Sequence, residues 1–179
     1  MSRISVIPPR PSAAMSLKAR GADFVTTTAR QCAELLETTP WAHRLSWKDE
    51  EGIGEYLRLY RLRDGAPLFH EGDQDAFVAI VVDGALEIRK TDSNGQMHRM
   101  ARLGAGKMVG EMSLIDGAFR SATAVAVEPT QLLVLTKEDF ERMSEARPDL
   151  ALKYALMIAE AIAQLLRQTT GALVDHLHD

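Results

Sequence analysis

The run Val109-Gly110-Glu111-Met112-Ser113-Leu114-Ile115-Asp116-Gly117-Ala118-Phe119-Arg120-Ser121-Ala122-Thr123 holds the residue types best suited to gripping a ligand. Gly110 lets the backbone come close to a bound group, and a single helical turn starting near Glu111 aims free N–H groups at the same place. An anion such as a phosphate suits that environment. Arg120 can return across the pocket with paired guanidinium donors, and Ser121 adds a hydroxyl. Met112, Ser113 and Ala122 complete the lining. Glu111 is the exception, because a carboxylate repels a phosphate. It fits a ligand that also carries a hydroxyl, as when a carboxylate holds a ribose 2′-OH. The same two charges also read as a simple Glu111–Arg120 ion pair, and spacing alone leaves both readings open.

With its surroundings, this segment resembles the phosphate-binding cassette of the cyclic nucleotide-binding domain family, which serves as the sensor domain of bacterial catabolite-activator-type regulators, kinase regulatory subunits and gated channels. Pro67-Leu68-Phe69, His70-Glu71-Gly72-Asp73, the Val81-Val82-Asp83-Gly84 hairpin, Leu103-Gly104 with Gly106, and a helix beginning at Pro148 resemble the family in order and spacing. The likeness covers about residues 45–170. It implies that Arg120 pairs with a cyclic phosphate, that Glu111 accepts the ribose 2′-OH, that Gly110 and neighbouring N–H groups complete the cradle, and that Ser121 helps hold the phosphate. It also implies that the long final helix covers the base, which makes Leu165, Arg167, Gln168 and Thr169 the candidate base contacts. Where the family often has proline before the arginine, this chain has Phe119, which keeps the arginine in register and alters the stiffness of the loop. The expected ligand is cAMP or cGMP. Frequency in the family favours cAMP, a cyclic dinucleotide such as cyclic di-GMP is the alternative, and no separate cofactor is expected.

Such a cradle needs a rigid frame. Leu57, Leu59 and Leu62 sit among Arg58, Tyr60, Arg61 and Arg63 as on a half-buried strand. Further on, Asp83-Gly84 and Asn94-Gly95 favour tight hairpins between the runs Phe77–Val82, Ala85–Lys90 and Gln96–Leu103. Thr123–Val127 and Gln131–Leu135 follow. Short strands at about 8–12-residue intervals predict an eight-stranded antiparallel β-barrel or jelly roll, a double-stranded β-helix, mainly β with flanking α. Before it, Thr28–Thr39 and Trp47–Gly54 read as short helices, the first stopped by Pro40 and the second preceded by Ser46. After it, Thr136 with Asp139 forms a capping box, and Pro148 opens a long helix to about Thr170. That helix is apolar on nearly every face. One face can lie on the barrel and the other on a second copy of the chain, or both can pack on the N-terminal helices. Residues 1–27 mix proline, serine, alanine and positive charge without periodicity, which predicts a flexible leader. Residues 28–179 then form the sensor domain, with helices in 28–55, a barrel in 56–135 and C-terminal helices in 136–177.

Composition narrows the function. A chain of 179 residues suits one domain and can bury an apolar core without metal or disulfide staples. Its one cysteine, Cys32, has no intrachain partner, which excludes a disulfide scaffold and points to a reducing, cytoplasmic setting. Pro8, Pro9 and Pro11 stand where a signal peptide needs an apolar run. Residues 1–30 carry five Lys/Arg and one Asp, a net +4, so residues 31–179 carry −8. So acidic a body argues against binding a nucleic-acid backbone. His70-Glu71 lacks the nearby second histidine of a cupin metal site, and His176 and His178 fall at the chain end, so neither a metal site nor a catalytic residue is expected. Only Gly171–Asp179 follow the long helix, so the expectation is no DNA-reading output; the most apolar segment, Tyr154–Leu166, is short and interrupted by Glu160 and Gln164, so no membrane contact is expected either. What remains is a non-catalytic sensor, homodimeric through its last helix, that signals to a protein partner. A ligand-free structural or interaction module of the same fold is the other reading.

Overall fold

The computed structural model describes residues 12–176. In chain order it contains α1 (Ala13–Ala19), β1 (Asp23–Val25), α2 (Ala29–Glu37), a 3-10 turn (Pro40–Arg44), α3 (Trp47–Gly54), β2 (Arg58–Leu62), β3 (Pro67–Phe69), β4 (Phe77–Asp83), β5 (Ala85–Thr91), β6 (Met97–Gly104), β7 (Met108–Val109), α4 (Glu111–Asp116), β8 (Thr123–Ala126), β9 (Thr130–Thr136), α5 (Lys137–Ala146) and α6 (Pro148–His176). The strands form two antiparallel sheets, ordered β1-β2-β9-β4-β7 and β3-β8-β5-β6. Mainly β architecture with flanking helices is therefore as predicted. The eight-stranded closed barrel is not: nine strands among the described residues lie in two sheets. β1 and β7 have three and two residues, too short for alternation to mark them in the sequence.

β4 and β9 show how the layers are held. Both are near-continuous apolar runs because both of their faces are covered. Phe77, Ala79 and Val81 of β4, with Leu132 and Val134 of β9, face the second sheet and meet Leu86, Ala124 and Ala126. Val78, Ile80, Leu133 and Leu135 point the other way, onto Ile53, Tyr154 and Ile158 of the helices. At nearly a 2-residue period, one strand thus feeds two cores. The helix layer is pinned by Trp41, whose Nε1 donates to the Gly106 carbonyl at 3.0 Å, just ahead of the ligand-gripping segment. α6 is tied down by Lys153 to Asp49 at 2.6 Å and by an Arg44–Glu160 ion pair. No helix among the described residues is long and apolar enough to cross a membrane.

The flexible leader needs correction over its second half; residues 1–11 lie outside the described residues. Ser12 caps α1 by accepting from the Met15 N–H at 3.4 Å. Gly21, at φ 84°, ends it with paired bonds from Gly21 N to the Lys18 carbonyl (3.1 Å) and from Ala22 N to the Leu17 carbonyl (3.0 Å). That is a Schellman stop, which needs a left-handed residue and so favours glycine. The chain then adds β1 to the edge of β2, with Asp23 opposite Arg61 and Val25 opposite Leu59. Ala13, Leu17 and Ala22 are all buried between the sheets. Their burial repays the ordering of a segment whose composition alone predicted disorder.

Candidate functional site

The site starts at Gly110, which has φ 80° and caps the N-terminus of α4. A Cβ there would lie 2.5 Å from Arg120 Nη1 and 2.9 Å from the Phe77 carbonyl oxygen, so both backbone angle and space call for glycine. α4 is one short turn and a half, ended by a second left-handed glycine, Gly117 at φ 67°. From there the chain runs through Ala118 and Phe119, both exposed, to Arg120.

Arg120 is only 3% exposed. Its backbone is clamped to the β3–β4 loop: Arg120 N donates to the Asp73 carbonyl at 2.9 Å, and Gly72 N donates to the Arg120 carbonyl at 2.8 Å. Its guanidinium sits in the corner of two rings that meet edge to face, with Cζ 4.2 Å from the centroids of both Phe69 and Phe77, within cation–π range of each. Nη1 reaches three acceptors, the Phe77 carbonyl at 3.0 Å, the Gly110 carbonyl at 2.9 Å and Ser113 Oγ at 2.6 Å. The other edge is different. Nε and Nη2 have no hydrogen-bond partner among the described residues. A buried guanidinium with one edge satisfied and the other bare is a donor pair suited to an oxyanion.

Two carboxylates share this neighbourhood. Glu111 is buried, and that burial pushes its carboxyl above the usual range, with Arg120 pulling the other way. The carboxylate within 4 Å of Arg120 is nonetheless Asp75, whose Oδ1 is 3.7 Å from Nε. The plain Glu111–Arg120 ion pair is thus not formed. Burial pulls Arg120 down to about 10, which still leaves it charged at neutral pH.

The fold brings Gly110, Glu111, Ser113 and Arg120 into one neighbourhood. Met112 is 44% exposed on α4, and Ala122 is half-buried just before β8. Ser121 is exposed, and its carbonyl accepts from Lys90 Nζ, which also pairs with Glu71. Leu165, Arg167, Gln168 and Thr169 are exposed on α6, where Thr169 Oγ1 donates to the Leu165 carbonyl at 2.9 Å. Sequence reasoning missed Phe77, Asp75, Lys90 and Arg20 as parts of this site; Phe69 entered it only as part of a resemblance. Nothing in an isolated phenylalanine or aspartate marks it, and Arg20 stands a hundred residues from Arg120. Only the folding of α1 brings it near: Arg20 donates to Asp75 Oδ2 at 2.7 Å, to Asp73 Oδ2 at 2.8 Å and to the Leu68 carbonyl at 3.2 Å. No cluster of three or more His, Cys, Asp or Glu among the described residues is placed to hold a metal. Of the terminal histidine pair, His178 lies outside the described residues.

The family profile described as cyclic nucleotide-binding domain matches residues 59–147. The chain is 33% identical over 129 residues to the cyclic AMP receptor protein of Thermus thermophilus, which covers 72% of this chain and 60% of that protein. It therefore spans well under two thirds of that relative. The crystal structure of the Thermus thermophilus catabolite activator protein superposes with a TM-score of 0.64 at 34% identity, over 78% of this chain and 63% of the other. A cyclic nucleotide-binding domain from Methylobacillus flagellatus gives a TM-score of 0.79 over 87% of this chain and 89% of its own; at 22% identity that likeness is one of fold.

Proposed function

Because residues 59–147 belong to the cyclic nucleotide-binding domain family, we propose that this chain is a non-catalytic sensor of a cyclic nucleotide, cAMP before cGMP. The observation that carries the reading is the half-satisfied Arg120, gripped by its wall through Nη1 while Nε and Nη2 make no hydrogen bond among the described residues. A singly charged cyclic phosphate supplies the two oxygens that edge needs. Gly110 lets it approach the first turn of α4, where N–H groups add further donors. Glu111 takes the ribose 2′-OH. Its carboxylate is buried, and a hydroxyl donor relieves the cost of keeping charge there. Ser113 holds Nη1 in place, while Met112, Ser121 and Ala122 line the approach.

Leu165, Arg167, Gln168 and Thr169 are the proposed base contacts; their exposure on α6 leaves them free to fold over a base. Preference for cAMP draws support from the relative named for cyclic AMP. The proposed output is a shift of α6 that presents or hides a surface to a protein partner, with a second copy of the chain along the same helix. For a ligand to drive such a shift it must bind one state better than the other.

The deciding experiment is isothermal titration of the nucleotide-free chain with cAMP, cGMP and cyclic di-GMP in turn. Saturable binding of cAMP at micromolar strength or better is expected. Heat with cyclic di-GMP alone would transfer the site to a dinucleotide, and silence with all three would reduce the chain to an interaction module of this fold.

A further inference from the structure

Asp75 is a buried carboxylate caught between two guanidinium groups. Its side chain is 1% exposed, its Oδ2 accepts from Arg20 Nη1 at 2.7 Å, and its Oδ1 has no hydrogen-bond partner among the described residues. Oδ1 faces Arg120 Nε across 3.7 Å, and Nε is likewise unpartnered. Two complementary buried groups left unpaired side by side are costly, and closing the gap by about 0.8 Å would give an ordinary charge-assisted bond. Something holds them apart. The restraint on this side is Arg20, itself fixed to Asp73 Oδ2 and the Leu68 carbonyl and mounted at the end of α1, whose Leu17 is fully buried.

We propose that Arg20 is a positioning residue for ligand binding: by holding Asp75 through Oδ2, it keeps that carboxylate from closing on the Nε edge of Arg120 that a phosphate must reach. The inference rests on the cyclic-nucleotide reading above and gives α1 a task in it. Without Arg20, the cation nearest to Asp75 is Arg120. Asp75 then takes Nε, and an incoming phosphate has to displace a buried ion pair before it can bind both donors. Removing the carboxylate abolishes the competition, so the two substitutions are not additive.

The test is a double-mutant cycle in the full chain, read by cAMP titration and by the 15N–1H signal of the Arg120 Nε–H in the ligand-free protein. Arg20→Ala weakens cAMP binding by about tenfold, the loss expected when a charge-assisted bond must be broken first. In the Asp75→Asn background the same substitution changes affinity by less than about twofold. Ligand-free Arg20→Ala also moves the Arg120 Nε–H signal downfield and slows its exchange, as a new bond to Asp75 requires. Arg20→Lys, which keeps a cation on Asp75, retains most of the affinity and separates this effect from loss of α1. Wild-type affinity in Arg20→Ala, or a loss that Asp75→Asn does not relieve, overturns the proposal. If the wild-type chain binds no cyclic nucleotide, the functional reading fails and this one with it; if it binds, an unmoved Nε–H signal in Arg20→Ala overturns the positioning role alone.

Discussion

Arg120 must stay charged while almost wholly removed from water. Burial lowers its affinity for the proton to a pKa of about 10, and the carboxylates of Asp75, Asp73 and Glu111 oppose that fall. At neutral pH the guanidinium is therefore ionised and keeps its attraction for a phosphate. Three acceptors on Nη1 and two aromatic faces offset part of the desolvation, and the rest is left for a ligand to recover. Arg120→Ala should accordingly weaken cyclic-nucleotide binding by about 2–4 kcal/mol, measured by calorimetry, because a charge-assisted partner of the phosphate is lost. Unchanged affinity would falsify the assignment of the phosphate site. At this scale the sequence was informative where residue type and backbone demand coincide: Gly110, Glu111 and Arg120 stand in a run whose resemblance to a known cassette singles them out, although spacing alone left their roles open. Phe77 and Asp75 do not, since their roles come from tertiary contact across 43 and 45 residues.

Among the elements, α1 departs furthest from what the sequence predicts. Seven residues are too few to form a helix by propensity, so tertiary burial has to supply the stability. Leu17 has no exposure and sits with Leu68, Phe69 and Phe77 between the sheets. Leu17→Ala should thus cost about 2–5 kcal/mol of unfolding free energy in a urea titration, the range for a leucine removed from a packed core. A loss under about 0.5 kcal/mol, typical of a surface position, would mean that α1 does not belong to the folded unit. The later elements were legible because each carries a local signal: Ser46 and Thr136 cap α3 and α5, Pro148 begins α6, and Gly84 turns β4 into β5. In α1 the one strong signal was Gly21 as a helix stop, and the surrounding prolines and serines masked it. Closure into a barrel was over-read for a related reason. Hairpin spacing reports which strands are adjacent but not whether the sheet edges meet.

For the whole molecule the open question is what α6 does with the face it does not bury. Leu150, Ala151, Tyr154, Met157 and Ile158 pack into the helix-side core. Opposite them, Leu152 at 62%, Leu156 at 50% and Leu166 at 66% stand in water. With Ala159 and Ala163 between, these positions repeat at intervals of four, three, four and three residues, the seam spacing of a two-stranded coiled coil. Leu165, 44% exposed, falls off the seam on the far side of the helix, where a base contact rather than a partner helix can use it. In a symmetric pair each seam residue is buried twice, so at about 1.5–3 kcal/mol per leucine a single substitution is felt twice over. The chain at tens of micromolar should scatter light as a dimer, and Leu156→Glu should scatter as a monomer with an unchanged circular-dichroism spectrum. If the wild type is monomeric under those conditions, α6 does not pair with its own copy, and its exposed leucines must be assigned to contact with another protein. If Leu156→Glu remains dimeric, pairing occurs elsewhere and α6 stays free to carry the proposed ligand-driven shift.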